Sequence, residues 1–162
     1  MVVDESGLPS NPDIEVEDAS AGPARPVHVR PAYVALVFAG GTVGTAAREG
    51  LSLAFPAVNG IPYTILAINL LGAFLLGLLL EALVRRGPDH GQRRTLRLLL
   101  GTGFMGGFTT YSALATASAE LIGDGRAGAG IGYGLATVLV GAVATIAGIA
   151  AGTHGPSRAV RA

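Results

Sequence analysis

Four apolar runs dominate this chain. The first, "YVALVFAGGTVGTAAREGLSLAF", starts at Tyr33 and ends at a turn signal around Pro56 and "NGIP". The second, "YTILAINLLGAFLLGLLLEALV", stops at Arg85-Arg86 and Gly87-Pro88. The third extends from about Leu96 to Ile122 and ends at "GDG"; the fourth, "AGAGIGYGLATVLVGAVATIAGIAAG", ends at "HGPSR". Each is near or above the roughly 20 residues that a helix needs to cross a hydrocarbon core. Buried helices of a soluble protein are seldom this long and this apolar. Half of the 162 residues are apolar and 14% are charged, which points to one compact membrane domain. The expected architecture is an all-α membrane protein with four transmembrane helices spanning residues 32–153.

The flanks read differently. Residues 1–31 are acidic, rich in Pro and without apolar periodicity, and they lack the basic start and apolar stretch of a secretory signal. Such a segment buries too little apolar surface to offset its ordering entropy, so a disordered tail is expected, with a regulatory role as the alternative. Residues 154–162 form a short C-terminal tail. The chain has no Lys, and its Arg residues lie mostly outside the runs. Arg25, Arg30, Arg85, Arg86, Arg93, Arg94, Arg97, Arg158 and Arg161 all fall on one side of a four-span layout. Arg126 is on the other, with Arg48 in or near the end of the first run. The positive-inside rule then makes both termini cytoplasmic and the protein a multi-pass cell-membrane protein.

The chemistry available inside the runs is sparse. There is no Cys, which excludes disulfides, thiolate metal sites and Cys nucleophiles. His28, His90 and His154 all lie in tails or loops. No Ser/His/Asp set, phosphate-cradling loop or carboxylate pair occurs at depth, so an enzyme is not expected. Asn69 is well inside the second run, either as glue between helices or as a donor facing an anion's path. Arg48 and Glu49 interrupt the first run, where charge is costly and tends to mark ion pathways or paired sites. The third run carries "GTGFMGGFTTYSAL", residues 101–114, in which Gly106-Gly107 disfavours a continuous helix. Thr109, Thr110 and Ser112 can bond to the backbone groups so freed. Unwound backbone at membrane depth survives only inside protein or along a cavity. The break is therefore either a packing kink or an ion site of the kind that broken helices build.

Taken together, "GGTVGTAAR" in the first run, "NLLGAFLLG" in the second and "GFMGGFTTYS" in the third resemble the CrcB/Fluc family of fluoride channels. The resemblance covers roughly Val34 to Gly152. It implies an antiparallel, dual-topology type dimer of four-helix subunits, with two fluoride pores along the subunit interface and a broken third helix. It also implies a structural Na⁺ at the dimer centre, not transported, held by the backbone carbonyls of Gly106 and Thr109. Asn69 matches the family's pore amide, Thr110 and Ser112 its hydroxyl-lined region, and Arg48 an anion-drawing slot at the vestibule.

The chain departs from the pattern where the family's "TTFSTFS" reads "TTYSALA". Tyr111 occupies the first Phe position, keeping an electropositive ring edge and adding a hydroxyl. Leu114 replaces the second Phe, Ala113 and Ala115 replace hydroxyl residues, and Ala117 replaces a Glu. One subunit therefore does not furnish two complete pores on that pattern, and a paralogous partner subunit is an expected alternative to a homodimer. Two other readings remain: a proton-coupled exporter of the small multidrug-resistance type, for which Glu49 is the loose carboxylate candidate, and a non-conducting partner subunit.

Overall fold

The computed structural model describes residues 30–154, so the two expected tails lie outside the described residues except at their inner ends. The chain separates into two compact units. Of the first, Met1–Ala35, the described part is residues 30–35, which open helix α1; the second is Leu36–Ala162. The elements are α1 (Pro31–Ala54), α2 (Tyr63–Val84), α3 (Gln92–Leu96), a π-helical stretch (Arg97–Met105), α4 (Gly106–Phe108), α5 (Tyr111–Gly123) and α6 (Ala127–Thr153). Among the described residues the one strand-like pairing is an isolated bridge between Val58 and Ile61.

Local chemistry explains the element ends. Proline at the first position of α1 loses no hydrogen bond, because that amide has no partner inside a helix. Between α1 and α2, Asn59 and Gly60 take positive φ values of 53° and 76°, as a tight turn with two left-handed residues requires. Arg126, at the start of α6, donates from Nη1 to the Asn59 carbonyl at 2.6 Å. Thr64 Oγ1 donates to the Phe55 carbonyl at 2.6 Å, and the Tyr133 hydroxyl donates to that of Pro62 at 3.3 Å. The connections at this end are thus pinned to one another by side chains.

Two helices, α2 and α6, are long and apolar enough to cross a membrane, with mean hydropathy of 2.2 and 2.1 over their most apolar stretches. Only 22% and 11% of those stretches are buried within the chain. That separates them from the core helices of a soluble protein, which are apolar because they are covered. On α6, Leu135, Val138, Leu139, Val143 and Ile146 are all more than half exposed. A row of this kind is stable in lipid and costly in water.

Helix contacts are made through glycine, since in lipid it is close packing and not water exclusion that holds helices together. A methyl group added at Gly40 or Gly44 of α1 would overlap the carbonyls of Leu99 and Phe104. Gly103 in turn lies against the Val37 carbonyl and Gly40. The two segments therefore meet backbone to backbone, and four-residue spacing of small residues places each pair on one face. Gly148 of α6 is pressed in the same way against the Phe74 carbonyl of α2. Side chains fill the remainder in two clusters. Leu114, Ala117, Leu121 and Tyr133 join α5 to α6; Ile68, Met105 and Phe108 join α2 to the third run.

The connection from α2 to α3 turns at Gly87 and Gly91, both at positive φ, and is held by Asp89. Asp89 Oδ2 accepts from Arg97 Nη2 at 2.7 Å and Nε at 3.1 Å, and lies 3.5 Å from Arg94 Nε. The Arg97 hydrogen bond, aided by the positive charge of Arg97 and Arg94, holds the Asp89 carboxyl below its ordinary value of 3.8. A lowered carboxylate stabilises the fold above the ordinary value and loses that contribution as pH falls through the lower one. Limited proteolysis of the 85–97 connection should therefore be unchanged from neutral pH down to about pH 4 and accelerate below it. Asp89→Asn should show the faster cleavage already at pH 7. For the glycine contacts, Gly44→Ala should lower thermal stability by about 1–3 kcal/mol, because two backbones cannot give way. Gly132→Ala, whose added methyl meets nothing within 4 Å, should be neutral in the same melting experiment.

Candidate functional site at the interrupted third run

Interrupting a helix frees the carbonyls of its last turn and the amides of the next. Here the interruption falls at Thr109 (φ −79°, ψ 154°) and Thr110 (φ −150°, ψ 119°), both extended, between α4 and α5. It follows nine residues of π-helix, a wide form that is uncommon at this length. Most of the freed groups acquire partners. The Thr109 N–H and Oγ1 both donate to the Met105 carbonyl, at 3.0 and 2.8 Å. Thr110 Oγ1 accepts from the Ala113 N–H at 3.2 Å, which caps the first turn of α5, and lies 3.1 Å from Ser112 Oγ.

The Thr110 backbone is held from α2. Its N–H donates to Asn69 Oδ1 at 2.8 Å, and its carbonyl accepts from Asn69 Nδ2 at 3.0 Å. One turn along the same face, Gly72 leaves room for the Thr109 methyl, which a Cβ at residue 72 would overlap. From α1, Thr45 Oγ1 and Arg48 Nε make two long bonds, each 3.4 Å, to the Gly107 carbonyl. Arg48 also pairs with Glu49 at 3.3 Å, its own side chain being 18% exposed. Among the described residues nothing donates to the carbonyls of Gly106, Phe108 or Thr109. Three uncapped oxygens within four residues, beside a two-point amide clamp, are a polar centre in an otherwise apolar helix bundle. No group of three His, Cys, Asp or Glu side chains gathers among the described residues. The oxygen donors at this centre are main-chain carbonyls and hydroxyls.

Residues 35–149 match the family described as CrcB-like protein, Camphor Resistance (CrcB). The chain belongs to the CrcB family. It is 53% identical over 127 residues to "Fluoride-specific ion channel FluC 2" of Leifsonia xyli subsp. xyli, covering 78% of this chain and 88% of the relative. It is 50% identical over 115 residues to "Fluoride-specific ion channel FluC 1" of Cutibacterium acnes, covering 70% and 80%. A third relative, "Fluoride-specific ion channel FluC 1" of Streptomyces coelicolor, is 39% identical over 107 residues, covering 65% and 68%. The named members of this family are ion channels, not enzymes.

In this CrcB-family chain the residues singled out from sequence gather only in part. Asn69, Thr110 and Ser112 form one hydrogen-bonded group, and Gly106 and Thr109 supply two of the uncapped carbonyls. Arg48 reaches the centre through Gly107. Tyr111 is 78% exposed, and no hydrogen bond joins it to Asn69 among the described residues. Leu114 is buried against Leu121 and Tyr133, so this position closes the α5–α6 core.

The glycine pair does not mark the break, as its sequence suggested. Gly106 and Gly107 are helical, and the backbone opens two residues later. Gly107 is needed for packing: a Cβ there would overlap the Gly41 carbonyl and come within 2.9 Å of Thr45 Oγ1. Thr45 and Gly72 were missed as contributors. Their signal was spacing, since Asn69 and Gly72 lie three residues apart on one helix face. Gly72→Ala should therefore disrupt the break by displacing Thr109, lowering the thermal midpoint. Thr109→Ser removes the obstructing methyl and should restore most of the loss in the double variant, a rescue that melting of the four proteins would read directly.

Proposed function

We propose that this chain is a subunit of a fluoride-specific channel that passively lets fluoride out of the cell and so lowers its cytoplasmic concentration. The names of its relatives supply the ion, and the clamp on the interrupted third run is the observation that carries the reading. Fluoride is small and strongly hydrated, so a dry path must offer donors in place of water. Asn69 keeps one Nδ2–H beyond the one given to Thr110, and Tyr111 and Ser112, which follow Thr110 in the chain, are exposed. Thr110 and Ser112 continue the hydroxyl path, and Arg48 sets positive charge near one end.

The subunit is read as four membrane crossings, with both termini cytoplasmic by the Arg distribution. Two such subunits pair antiparallel, with the interrupted runs facing one another at the centre. The unpartnered carbonyls of Gly106 and Thr109 suit a structural Na⁺ there, because a hard cation takes oxygen ligands. Bound, the cation supplies positive charge that offsets the cost of holding anions nearby. Thermal stability should then rise with Na⁺ and not with N-methylglucamine, by about 1.4 kcal/mol per tenfold increase above the dissociation constant.

A heterodimer with a paralogous subunit is favoured over a homodimer by one observation. Nine of the eleven Arg lie in the segments read as cytoplasmic, whereas one sequence inserting both ways needs a near balance. Fluoride efflux from proteoliposomes, followed with an electrode, tests the function. Efflux without a proton gradient from the chain alone supports a homodimeric channel. Efflux only on co-reconstitution with a paralogous subunit supports the heterodimer. Proton-coupled drug exchange would replace the channel reading with an exporter, and silence in every combination would leave a non-conducting subunit.

A further inference from the structure

The polar atoms of Asn69 are mostly spoken for by the chain itself. Its Oδ1 accepts from the Thr110 N–H at 2.8 Å and its Nδ2 donates to the Thr110 carbonyl at 3.0 Å. Both bonds go to a single residue, and that residue is one of the two that leave helical geometry. In a continuous helix the Thr110 N–H would donate to the Gly106 carbonyl. Asn69 takes that donor, and the Gly106 oxygen is left open as a result. The Thr109 oxygen is left open in a matching way, because the Ala113 N–H donates to Thr110 Oγ1. Asn69 is half-buried on α2, and its neighbour Ile68 belongs to the cluster of Met105 and Phe108.

We infer that Asn69 is a positioning residue for the interruption of the third run: its amide holds Thr110 extended and thereby keeps the Gly106 carbonyl unpartnered. Thr45 and Arg48 act differently on the next carbonyl: from α1 they donate to the Gly107 oxygen, by longer and weaker bonds. An amide is suited to this task because it offers one acceptor and two donors on a planar group that matches a peptide unit. Asp would keep the acceptor but set a second oxygen against the Thr110 carbonyl. Ser would offer a donor to a passing anion but is too short to reach both Thr110 groups. Loss of transport on changing Asn69 then follows from a relaxed backbone, in addition to any donor lost from the anion's path. The consequence for cation binding rests on the Na⁺ reading above; the clamp itself does not.

Amide hydrogen exchange at single-residue resolution tests the clamp in the full-length protein, using Asn69→Leu and the milder Asn69→Ser. The Thr110 amide should exchange about tenfold faster in both variants, as expected for losing a bond of about 1–1.5 kcal/mol, while α6 amides keep their wild-type rates. A wild-type exchange rate at Thr110 together with reduced fluoride flux would overturn the inference and leave Asn69 as an anion donor alone. Should Asn69→Leu fail to fold, Asn69→Ser carries the same comparison, because α6 reports global loosening separately. A second readout is the Na⁺ concentration for half-maximal thermal stabilisation, expected to rise about tenfold in Asn69→Ser. If the wild type shows no Na⁺ stabilisation at all, the cation reading fails, and faster Thr110 exchange would still establish the clamp. An unchanged Na⁺ midpoint alongside faster exchange would overturn the coupling between clamp and cation.

Discussion

A peptide group inside an apolar layer has no water to bond, so each one left without a partner costs several kcal/mol. This constraint explains why the third run is surrounded as it is. Its interruption at Thr109 and Thr110 frees a full turn of carbonyls, and the neighbouring helices are arranged to answer them. α2 contributes Asn69 and the space above Gly72; α1 contributes Thr45 and Arg48. What those residues leave open is a short series of main-chain oxygens.

The glycines make these contacts reachable. A 3.4 Å bond from α1 to the Gly107 carbonyl requires two helices whose backbones nearly touch, and Gly40, Gly44, Gly103 and Gly107 permit it. The same approach puts Arg48 against a carbonyl and beside Glu49, which meets part of the cost of a charge in an apolar run. Packing and polar satisfaction are thus one design here, since moving α1 outward by a methyl group would also withdraw Thr45 and Arg48 from the break. α6 plays a different part. It is joined to α2 through Gly148 and to α5 through Tyr133, and its outer row remains apolar and uncovered.

Charge is handled at the ends of the bundle. Arg126 secures the Asn59 turn at one end, and Asp89 gathers Arg94 and Arg97 at the other. The long side chains thereby serve as ties across loops whose backbone needs left-handed residues at Asn59, Gly60, Gly87 and Gly91. Leu114 shows a comparable economy. Where the family resemblance anticipates a ring, this chain sets a hydrocarbon side chain that seals the α5–α6 core against Leu121 and Tyr133.

Much of this is legible without coordinates, for reasons of short range. Apolar run length against helix rise marked α2 and α6 to the residue or nearly so, and "NG" before Ile61 marked the first turn because few residues accept positive φ. The motifs "NLLG" and "GGFTTYS" identified the polar centre and its family. The position of the break was not legible. Glycine weakens a helix wherever it stands, and sequence does not distinguish a glycine that opens the backbone from one that admits a neighbour. Only the tertiary structure decides this: Gly107 lies under the Gly41 carbonyl and stays helical, while Thr110, a residue with no intrinsic need to leave the helix, is drawn out by an amide 41 positions earlier in the chain.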